Sequence, residues 1–371
     1  MNPQQPNDDI LKQFNVWKII IPVLLGLLVV IAFGLRDFDL DLIRNINWSR
    51  TTILWIIIGI AVMAFRQLLI TLRLRLVAEG RLSWRQCFDV GILWEFSSAA
   101  TPSTVGGTAV ALYFLTREGL SAGRSTTYIL FTILLDGIFF VTFIPFVWYF
   151  LGSNFLSPDI SFTDTMLGAR PEPSSSTGWV YFFFLGTLVT VGYAALVAYG
   201  LLVNPKVIGW IIKKLFKLPI LNRWQEMGEK TANDLVIASK GIRNKSIKYW
   251  TSNLAVTYLI WLIRLGMVNI TLLSVMAVSH QLFILGRSLI LYLVMLLSPT
   301  PGAGGVAEGT FIWLLSDFIP EGSGAVLALL WRTISFYIFL PIGLILLPAW
   351  LRRVYSKSYQ QKMKARNASI K

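Results

Sequence analysis

Long apolar runs separated by short polar and basic segments make up most of this chain. A helix of about 20 apolar residues crosses a bilayer, and each run is close to that length. The pattern predicts an all-α polytopic membrane protein with about six transmembrane helices. No small-residue cleavage site follows the first run, so we expect it to be a retained anchor. The predicted spans are 17–35, 51–72, 125–150, 178–203, 249–278 and 324–350.

Two further apolar segments, 86–116 and 281–319, are each interrupted by a turn rich in Pro and Gly. Pro removes a backbone donor and Gly permits helix-breaking dihedral angles, so each turn leaves polar backbone groups that hydrocarbon cannot satisfy. We predict a re-entrant helical hairpin for each segment, although the first leg of the second is long enough to cross the membrane instead. The turn residues are Thr101, Pro102, Gly106, Gly107, Thr300, Pro301, Gly304 and Gly305.

The two turns resemble each other, since TPSTVGGTA occupies 101–109 and TPGAGGVA occupies 300–307. Matched interruptions in the two halves of a membrane protein are typical of a transporter's binding site. The half-helix after each Gly-Gly pair would present free amide groups and a positive dipole end to an anion. The alternative is a packing role, because a Gly-Gly pair lets two helices approach closely.

The distribution of basic residues predicts how the chain is oriented. The segment 204–248 and the tail 351–371 are strongly basic and belong on the cytoplasmic side, whereas the loop 151–177 is mostly acidic and belongs outside. Both termini are then cytoplasmic in a multi-pass protein of a prokaryotic plasma (inner) membrane. The first hairpin enters from the cytoplasm, and the second enters from outside.

This orientation makes the two halves of a single transmembrane domain, residues 1–350, inverted repeats of each other. Repeat 1 covers about 17–150 and repeat 2 about 178–350. The interval between the two Thr-Pro pairs almost equals the interval between Arg66 and Arg264, which supports this alignment. Inverted repeats of this kind support alternating access in transporters.

Charged side chains lie inside the apolar spans and in the legs of the hairpins. Inserting one charge near the bilayer centre costs about 2.5–3.5 kcal/mol, so we predict that these side chains converge on one polar cavity. The arginines would leave it cationic and suited to a lipid phosphate, because the planar guanidinium donates two parallel hydrogen bonds. Alternatively, these charged side chains form structural ion pairs, or they extend along the helix to the membrane surface (snorkelling). The residues are Arg66, Glu95, Asp136, Arg264, Arg287, Glu308 and Arg332.

Composition narrows the class of protein further. The chain is 55% hydrophobic and only 14% charged, whereas soluble domains carry roughly 25% charged residues. Its net charge of +14 comes from residues beside the spans, which favours anionic lipid over nucleic acid as a partner. With Cys87 and His280 as the sole cysteine and histidine, we expect no disulfide, metal or cofactor. No phosphate-binding loop of an ATPase is present.

The basic segment 204–248 contains apolar residues at helical spacing between Val207 and Phe216, interleaved with lysines. This pattern predicts an interfacial amphipathic helix that ends near Pro219. Such a helix could collect anionic lipid at the mouth of the cavity. Alternatively, the segment is a basic connector that only fixes the orientation of the chain.

Several of these motifs together resemble a known family. They are the Thr-Pro and Gly-Gly residues before a helix, GLS at 119–121 with Arg124, LLD at 134–136, and PTPGAGGVAE at 299–308. They are similar to the lysylphosphatidylglycerol synthase transmembrane region, also called the flippase-like domain family, over about residues 15–350. The chain departs from similar proteins at Gly137, where they often have an Arg directly after the acid of the span.

The resemblance implies movement of a lipid, often an aminoacylated or glycosylated one, between leaflets. Large family members fuse this membrane unit to a soluble aminoacyl-transferase domain. This sequence ends soon after its last span, so we expect any lipid-modifying enzyme to be a separate protein. The sequence does not specify which lipid is moved, in which direction, or in which oligomeric state. The energy source could be none (passive movement), a proton gradient or the membrane potential.

The leading hypothesis is therefore an integral membrane lipid flippase or transporter that is not itself an enzyme. One alternative is a membrane-embedded enzyme acting on a lipid phosphate, with Glu95, Asp136 or Glu308 as acid or base. A second alternative is a scaffold for a lipid-modifying synthase. The enzyme would need a nucleophile or metal site, and the scaffold leaves the intramembrane charges unexplained.

Overall fold

The computed structural model describes residues 49–100, 103–152, 154–156, 177–215, 217, 225–276, 280–298, 300, 302–319 and 323–356. Four sequence predictions lie wholly or mostly outside these ranges. They are the span 17–35, the turn residues Thr101, Pro102 and Pro301, the loop 151–177, and the tail 351–371 after Ser356.

Helices account for all of the regular structure within the described ranges. The first half contains α1 (Arg50–Val77), α2 (Trp84–Ala100), α3 (Ser103–Arg117) and α4 (Ala122–Leu151). After it come α5 (Thr177–Ala198), which continues through the π-helical turn Tyr199–Val203, and then α6 (Pro205–Leu215) and α7 (Gln225–Arg243). The second half contains α8 (Ile247–Leu273), α9 (Gln281–Leu297), α10 (Val306–Leu314), α11 (Gly324–Arg332), the π-helical turn Thr333–Tyr337, and α12 (Phe339–Tyr355).

Five helical segments in the described part of the chain are long and apolar enough to cross a membrane. They are Arg50–Val77, Ala122–Leu151, Val180–Val203, Ile247–Leu273 and Gly324–Tyr355. Each matches one of the predicted spans with ends that differ by a few residues. The prediction of a polytopic all-α membrane protein is therefore confirmed.

Local sequence sets where three of these helices begin. Ser49, Ser121 and Ser246 are the N-cap residues of α1, α4 and α8, and each side chain accepts a hydrogen bond from the backbone N–H three residues further on. After α1 the backbone turns through Glu79 and Gly80, which have φ angles of 51° and 70°. This turn directs the chain into α2.

The two halves meet where α1 packs along α8. Leu69 and Ile70 of α1 form a buried cluster with Val256 and Ile260 of α8. These two helices are the equivalent spans of the proposed repeats, so they bring residues from both halves to one place. The candidate site lies along this contact.

The helices α2 and α3 pack against each other as the two legs of the first hairpin. Because α3 already begins at Ser103, Gly106 and Gly107 lie inside its first turns instead of in the turn that precedes it. A Cβ atom on Gly107 would lie 2.7 Å from the backbone Cα of Ser98, so this glycine permits the legs to approach closely. The prediction that Gly106 and Gly107 precede the half-helix was wrong, and the packing alternative applies to Gly107.

The second hairpin consists of α9, a glycine-rich turn and the short helix α10, and here the Gly-Gly pair precedes the half-helix, as predicted. Gly304 and Gly305 directly precede α10, and Gly305 has a φ of 78°. Gly302 has a φ of 56°, and a Cβ there would meet the Phe336 ring at 2.3 Å and the carbonyl oxygen of Ala99 at 3.2 Å. The tip of this hairpin therefore contacts the end of α2, beside the break in the first hairpin.

Candidate functional site

The central polar cluster is built around an ion pair between the two helices α1 and α2. The Arg66 Nη2 atom donates to the Glu95 Oε1 atom at 2.8 Å, and the Arg66 side chain is almost fully buried. Since α1 continues to Val77, Arg66 lies about three helical turns from its end. That depth argues against the snorkelling alternative for this residue.

Arg264 of α8 reaches the same cluster from the second half of the chain. It interacts electrostatically with Arg66 and Glu95, and its guanidinium carbon lies 5.4 Å from the Trp261 ring centroid and 5.1 Å from that of Tyr292. Among the described residues, no carboxylate lies within ion-pair distance of Arg264. The two arginines at equivalent positions of the proposed repeats thus meet around one carboxylate, and one of them is left without a counter-ion of its own.

Asp136 of α4 joins the cluster through Arg73, a residue that the sequence analysis did not include. Its Oδ1 atom accepts from Arg73 Nη1 at 2.6 Å and from Trp261 Nε1 at 2.9 Å. Arg73 lies just after the predicted span 51–72, where basic residues are common. Its position seven residues after Arg66, on the same side of a helix, was the signal available in the sequence.

Asp136 has its charged partner on another helix, and the residue after it, Gly137, lies at a close contact between two helices. A Cβ atom on Gly137 would lie 2.5 Å from the Cβ of Ala194, because α4 and α5 are in close contact there. An Arg at this position would not fit that contact. Arg73 supplies the positive charge beside Asp136 instead.

The charges of this cluster do not cancel. Arg66, Arg73 and Arg264 are balanced only by Glu95 and Asp136, which leaves one positive charge in excess among the described groups. Polar atoms also remain buried without a partner within this part of the chain: Arg66 Nε and both side-chain amide atoms of Gln67, the residue next to it. The acceptor atoms of an anion would satisfy the two donors among them, Arg66 Nε and Gln67 Nε2.

A second polar group stabilises the tip of the second hairpin. Glu308 accepts hydrogen bonds from Arg332 Nε at 2.8 Å, from the Tyr337 hydroxyl at 2.9 Å and from the Gly305 backbone N–H at 2.7 Å. Arg332 Nη2 also donates to the Gly302 carbonyl oxygen at 2.5 Å. The Glu308 carboxylate thus caps α10, while Arg332 connects the strained turn to the last span.

A third group lies at the base of the second hairpin. The fully buried Arg287 of α9 forms an ion pair with Asp317 and donates to the Leu314 carbonyl oxygen at 2.7 Å. Its guanidinium carbon also lies 5.0 Å from the ring centroids of Phe283 and Phe318. Asp317, just after α10, was absent from the predicted set.

These contacts correct the prediction that all seven charged residues line one cavity. Arg66, Glu95, Asp136 and Arg264 come together, whereas Glu308 pairs with Arg332 and Arg287 pairs with Asp317. The physical reason is that each hairpin has its own buried backbone groups and charges to satisfy, and local partners do so at the least cost in desolvation. The structural ion-pair alternative therefore applies to Arg287, Glu308 and Arg332.

The base of the first hairpin has a polar clamp of its own. Glu118, at the end of α3, accepts hydrogen bonds from Gln86 Nε2 at 2.8 Å and from Trp350 Nε1 at 2.7 Å, and it forms an ion pair with Arg353. Arg353 also lies 3.0 Å from a carboxylate oxygen of Asp89. The last span is thereby fastened to both legs of the first hairpin.

These features define the class of protein: a multi-pass, all-helical membrane protein with a buried, net cationic cluster formed by both halves of the chain. The family described as "Lysylphosphatidylglycerol synthase TM region" matches residues 19–343, so the chain belongs to this family. It is also similar to a "UPF0104 membrane protein" of Archaeoglobus fulgidus, with 24% identity over 331 residues that cover 85% of this chain and 92% of that protein. No solved structure matches the chain.

Proposed function

We propose that this protein is a transporter that moves a phospholipid with an anionic headgroup between the two leaflets of its membrane. The observation that carries the proposal is Arg264, a cation without its own counter-ion, beside the Arg66–Glu95 pair. Leaving such a charge in a membrane interior is costly, and intramembrane charges that persist generally serve transport or ligand binding. The family to which the chain belongs is consistent with this class of activity.

A phosphate diester fits the chemistry of the cluster. Its single negative charge would balance the excess positive charge, and its oxygens would accept hydrogen bonds from Arg264, from Arg66 Nε and from the Gln67 amide. Trp261 and Tyr292 hold the Arg264 guanidinium by cation–π contact, and the Tyr292 hydroxyl also accepts a hydrogen bond from it. Because a guanidinium carries five N–H donors, this bond leaves others for a phosphate. The apolar tails would remain in the lipid around the helices while the headgroup passes the cluster.

The proposed movement is alternating access between two inverted repeats with re-entrant hairpins. Support comes from the contact of Gly302 with Ala99 at the hairpin tips and from the meeting of Arg66 with Arg264. In this conformation the Arg353–Glu118 clamp joins the last span to the base of the first hairpin, which the proposed topology puts on the cytoplasmic side. Both termini would be cytoplasmic, in a prokaryotic plasma membrane.

An enzyme acting on lipid phosphate has less support. Glu95, Asp136 and Glu308 each accept a hydrogen bond from an arginine, so each already serves as a counter-ion, which disfavours a role as general base. No group of three or more His, Cys, Asp or Glu side chains in the described part of the chain is arranged to hold a metal ion. A separate lipid-modifying enzyme that supplies the transported lipid is compatible with the transporter.

Leaflet exchange of fluorescent lipids in proteoliposomes tests the proposal. The purified chain should accelerate the loss of fluorescence of labelled phosphatidylglycerol after a quencher is added outside, without any nucleotide. Labelled phosphatidylcholine should exchange more slowly, because its headgroup carries a compensating positive charge. Protein-free vesicles provide the baseline. The proposal would be contradicted if the protein did not raise the exchange rate of phosphatidylglycerol above that of protein-free vesicles.

The orientation of the second hairpin gives a separate prediction. Ser323 precedes α11, which the inverted topology puts at the outer surface. In a Cys87→Ser background, a cysteine introduced by Ser323→Cys should react with a membrane-impermeant thiol reagent in intact cells. A matched Arg85→Cys variant at the exposed start of α2 should react only after lysis. The opposite pattern of labelling would contradict the inverted repeat.

A further inference from the structure

The unit formed by α6 and α7 is held at the membrane surface by its connections. α6 begins at Pro205, directly after the span Val180–Val203 and the single residue Asn204. A chain advances at most about 3.6 Å per residue, so the first turn of α6 lies within about 10 Å of the end of that span. At its other end, α7 leads into the span Ile247–Leu273 after a short turn.

One face of α6 is used for packing within the protein. Gly209 is buried, and a Cβ there would lie 3.6 Å from Ala232 of α7. α7 in turn packs on the start of α4, where a Cβ on Gly123 would lie 2.6 Å from the backbone nitrogen of Leu235. These contacts fix which side of α6 faces away from the protein.

The opposite face of α6 combines apolar anchors with positive charge. Trp210 is 59% exposed and Ile211 is 41% exposed. The Lys214 ammonium lies 4.9 Å from the centroid of the Trp210 ring. α6 contains no acidic residue. The exposed lysines are Lys206 in the first turn of α6, Lys214 beside Trp210, and Lys217 just beyond the helix.

We propose that this face of α6 binds the anionic headgroup layer of the membrane surface from which the helix emerges. Trp210 and Ile211 would enter the boundary between headgroups and acyl chains, and the lysine side chains would extend to lipid phosphates. The binding is independent of transport through the central cluster, because α6 and its lysines lie outside it. The ligand class is an anionic phospholipid surface, which complements a basic helix that has no acid of its own.

The exposed face of α7 provides a natural contrast. It carries Glu226 and Glu229 together with Lys230 and Lys240, so its charges largely compensate one another. Attraction to anionic lipid should therefore be specific to α6 and not general to this basic segment. This difference supplies a matched control for the experiment.

The test measures where α6 lies in proteoliposomes of the full chain. A Cys87→Ser, Ile211→Cys variant carries an environment-sensitive fluorophore at position 211. We expect a blue-shifted, lipid-quenchable signal in vesicles that contain phosphatidylglycerol and a weaker one in phosphatidylcholine alone. Salt near 1 M should reduce the signal, because the screening length falls to about 3 Å.

Removing the lysines of α6 should abolish the response. Each lysine at an anionic surface contributes about 1 kcal/mol, or about fivefold in partitioning, so replacing the three exposed ones with Gln removes most of the lipid preference. The control variant, with Lys230, Lys240 and Arg243 of α7 replaced by Gln, loses the same number of charges and should keep it. Thermal unfolding in detergent checks that both remain folded. The three replaced residues are Lys206, Lys214 and Lys217.

Three results would overturn the proposal. The first is a signal that does not depend on phosphatidylglycerol, and the second is equal loss of the response in the α6 and α7 variants. The third is burial of the fluorophore only after an acidic soluble protein is added, which would assign the face to a protein partner. A response that requires phosphatidylglycerol and the α6 lysines supports it.

Discussion

Replacing Arg264 with Ala should reduce phosphatidylglycerol exchange about 100-fold while the protein stays folded. Hydrogen bonds to a charged phosphate contribute about 1.5 kcal/mol or more each, so two of them correspond to about two powers of ten. The fold should tolerate the change, because Arg264 has no ion pair among the described residues and Glu95 keeps its bond to Arg66. Leaflet exchange and thermal unfolding of the same preparation measure both effects.

Arg66→Ala is the informative comparison for this prediction. It removes the 2.8 Å partner of Glu95 and leaves a carboxylate in the membrane interior without its ion pair, so we expect a loss of about 3 kcal/mol in unfolding free energy as well as lost exchange. Arg85→Ala, an exposed arginine at the start of α2, is the neutral control. If Arg264→Ala destabilised the protein as much as Arg66→Ala does, Arg264 would be a structural residue.

Arg332→Ala should lower the free energy of unfolding by about 3–5 kcal/mol, because it removes the ion-pair partner of Glu308 at the tip of the second hairpin. The change leaves the Glu308 carboxylate without its arginine and the Gly302 carbonyl without its donor, both beside a turn with positive φ angles. Chemical or thermal unfolding in detergent, with tryptophan fluorescence as the signal, measures the effect.

Tyr337→Phe provides the matched control for Arg332, since it removes one neutral donor to the same carboxylate at 2.9 Å. Its expected cost is about 1 kcal/mol. Equal stability of the two variants would show that Glu308 does not depend on Arg332 for charge compensation. It would also remove the argument that this group stabilises the hairpin tip.

The spans could be predicted from the sequence because lipid imposes one simple requirement, an apolar helix of sufficient length. The breaker residues indicated two interrupted apolar segments, and in the structure each segment contains two separate helices. Arg66 and Arg264 were paired from their equivalent positions alone, and in the structure they interact electrostatically.

What the sequence could not provide is the choice of partner for each charge. Arg73, Asp317 and Arg353 lie at the ends of apolar segments, where charges are common and carry no signal of their own. Only three-dimensional packing shows that they reach Asp136, Arg287 and Glu118, respectively. Because the sequence does not show which charges pair, we predicted one cavity for all of them. In the structure they form separate local groups.

The glycine pairs illustrate a second limit of sequence interpretation. Both pairs follow a Thr-Pro motif, yet Gly305 precedes its helix with a positive φ angle while Gly107 lies within a helix against Ser98. Glycine permits a positive φ angle in the second hairpin and close packing of two helices in the first. The contacts of a glycine with its neighbours, which sequence does not record, decide between these roles.

The most direct test of the account is to locate a lipid headgroup within the protein. Phosphatidylglycerol that carries a photoreactive group on its headgroup would be crosslinked to the wild-type chain and to Arg264→Ala in proteoliposomes, and the modified peptides identified by mass spectrometry. The account predicts crosslinks near Trp261 and Tyr292 that are lost in Arg264→Ala. Crosslinks confined to the outward-facing surfaces of α1 and α5, unchanged by the substitution, would contradict a headgroup path through the Arg66–Glu95–Arg264 cluster.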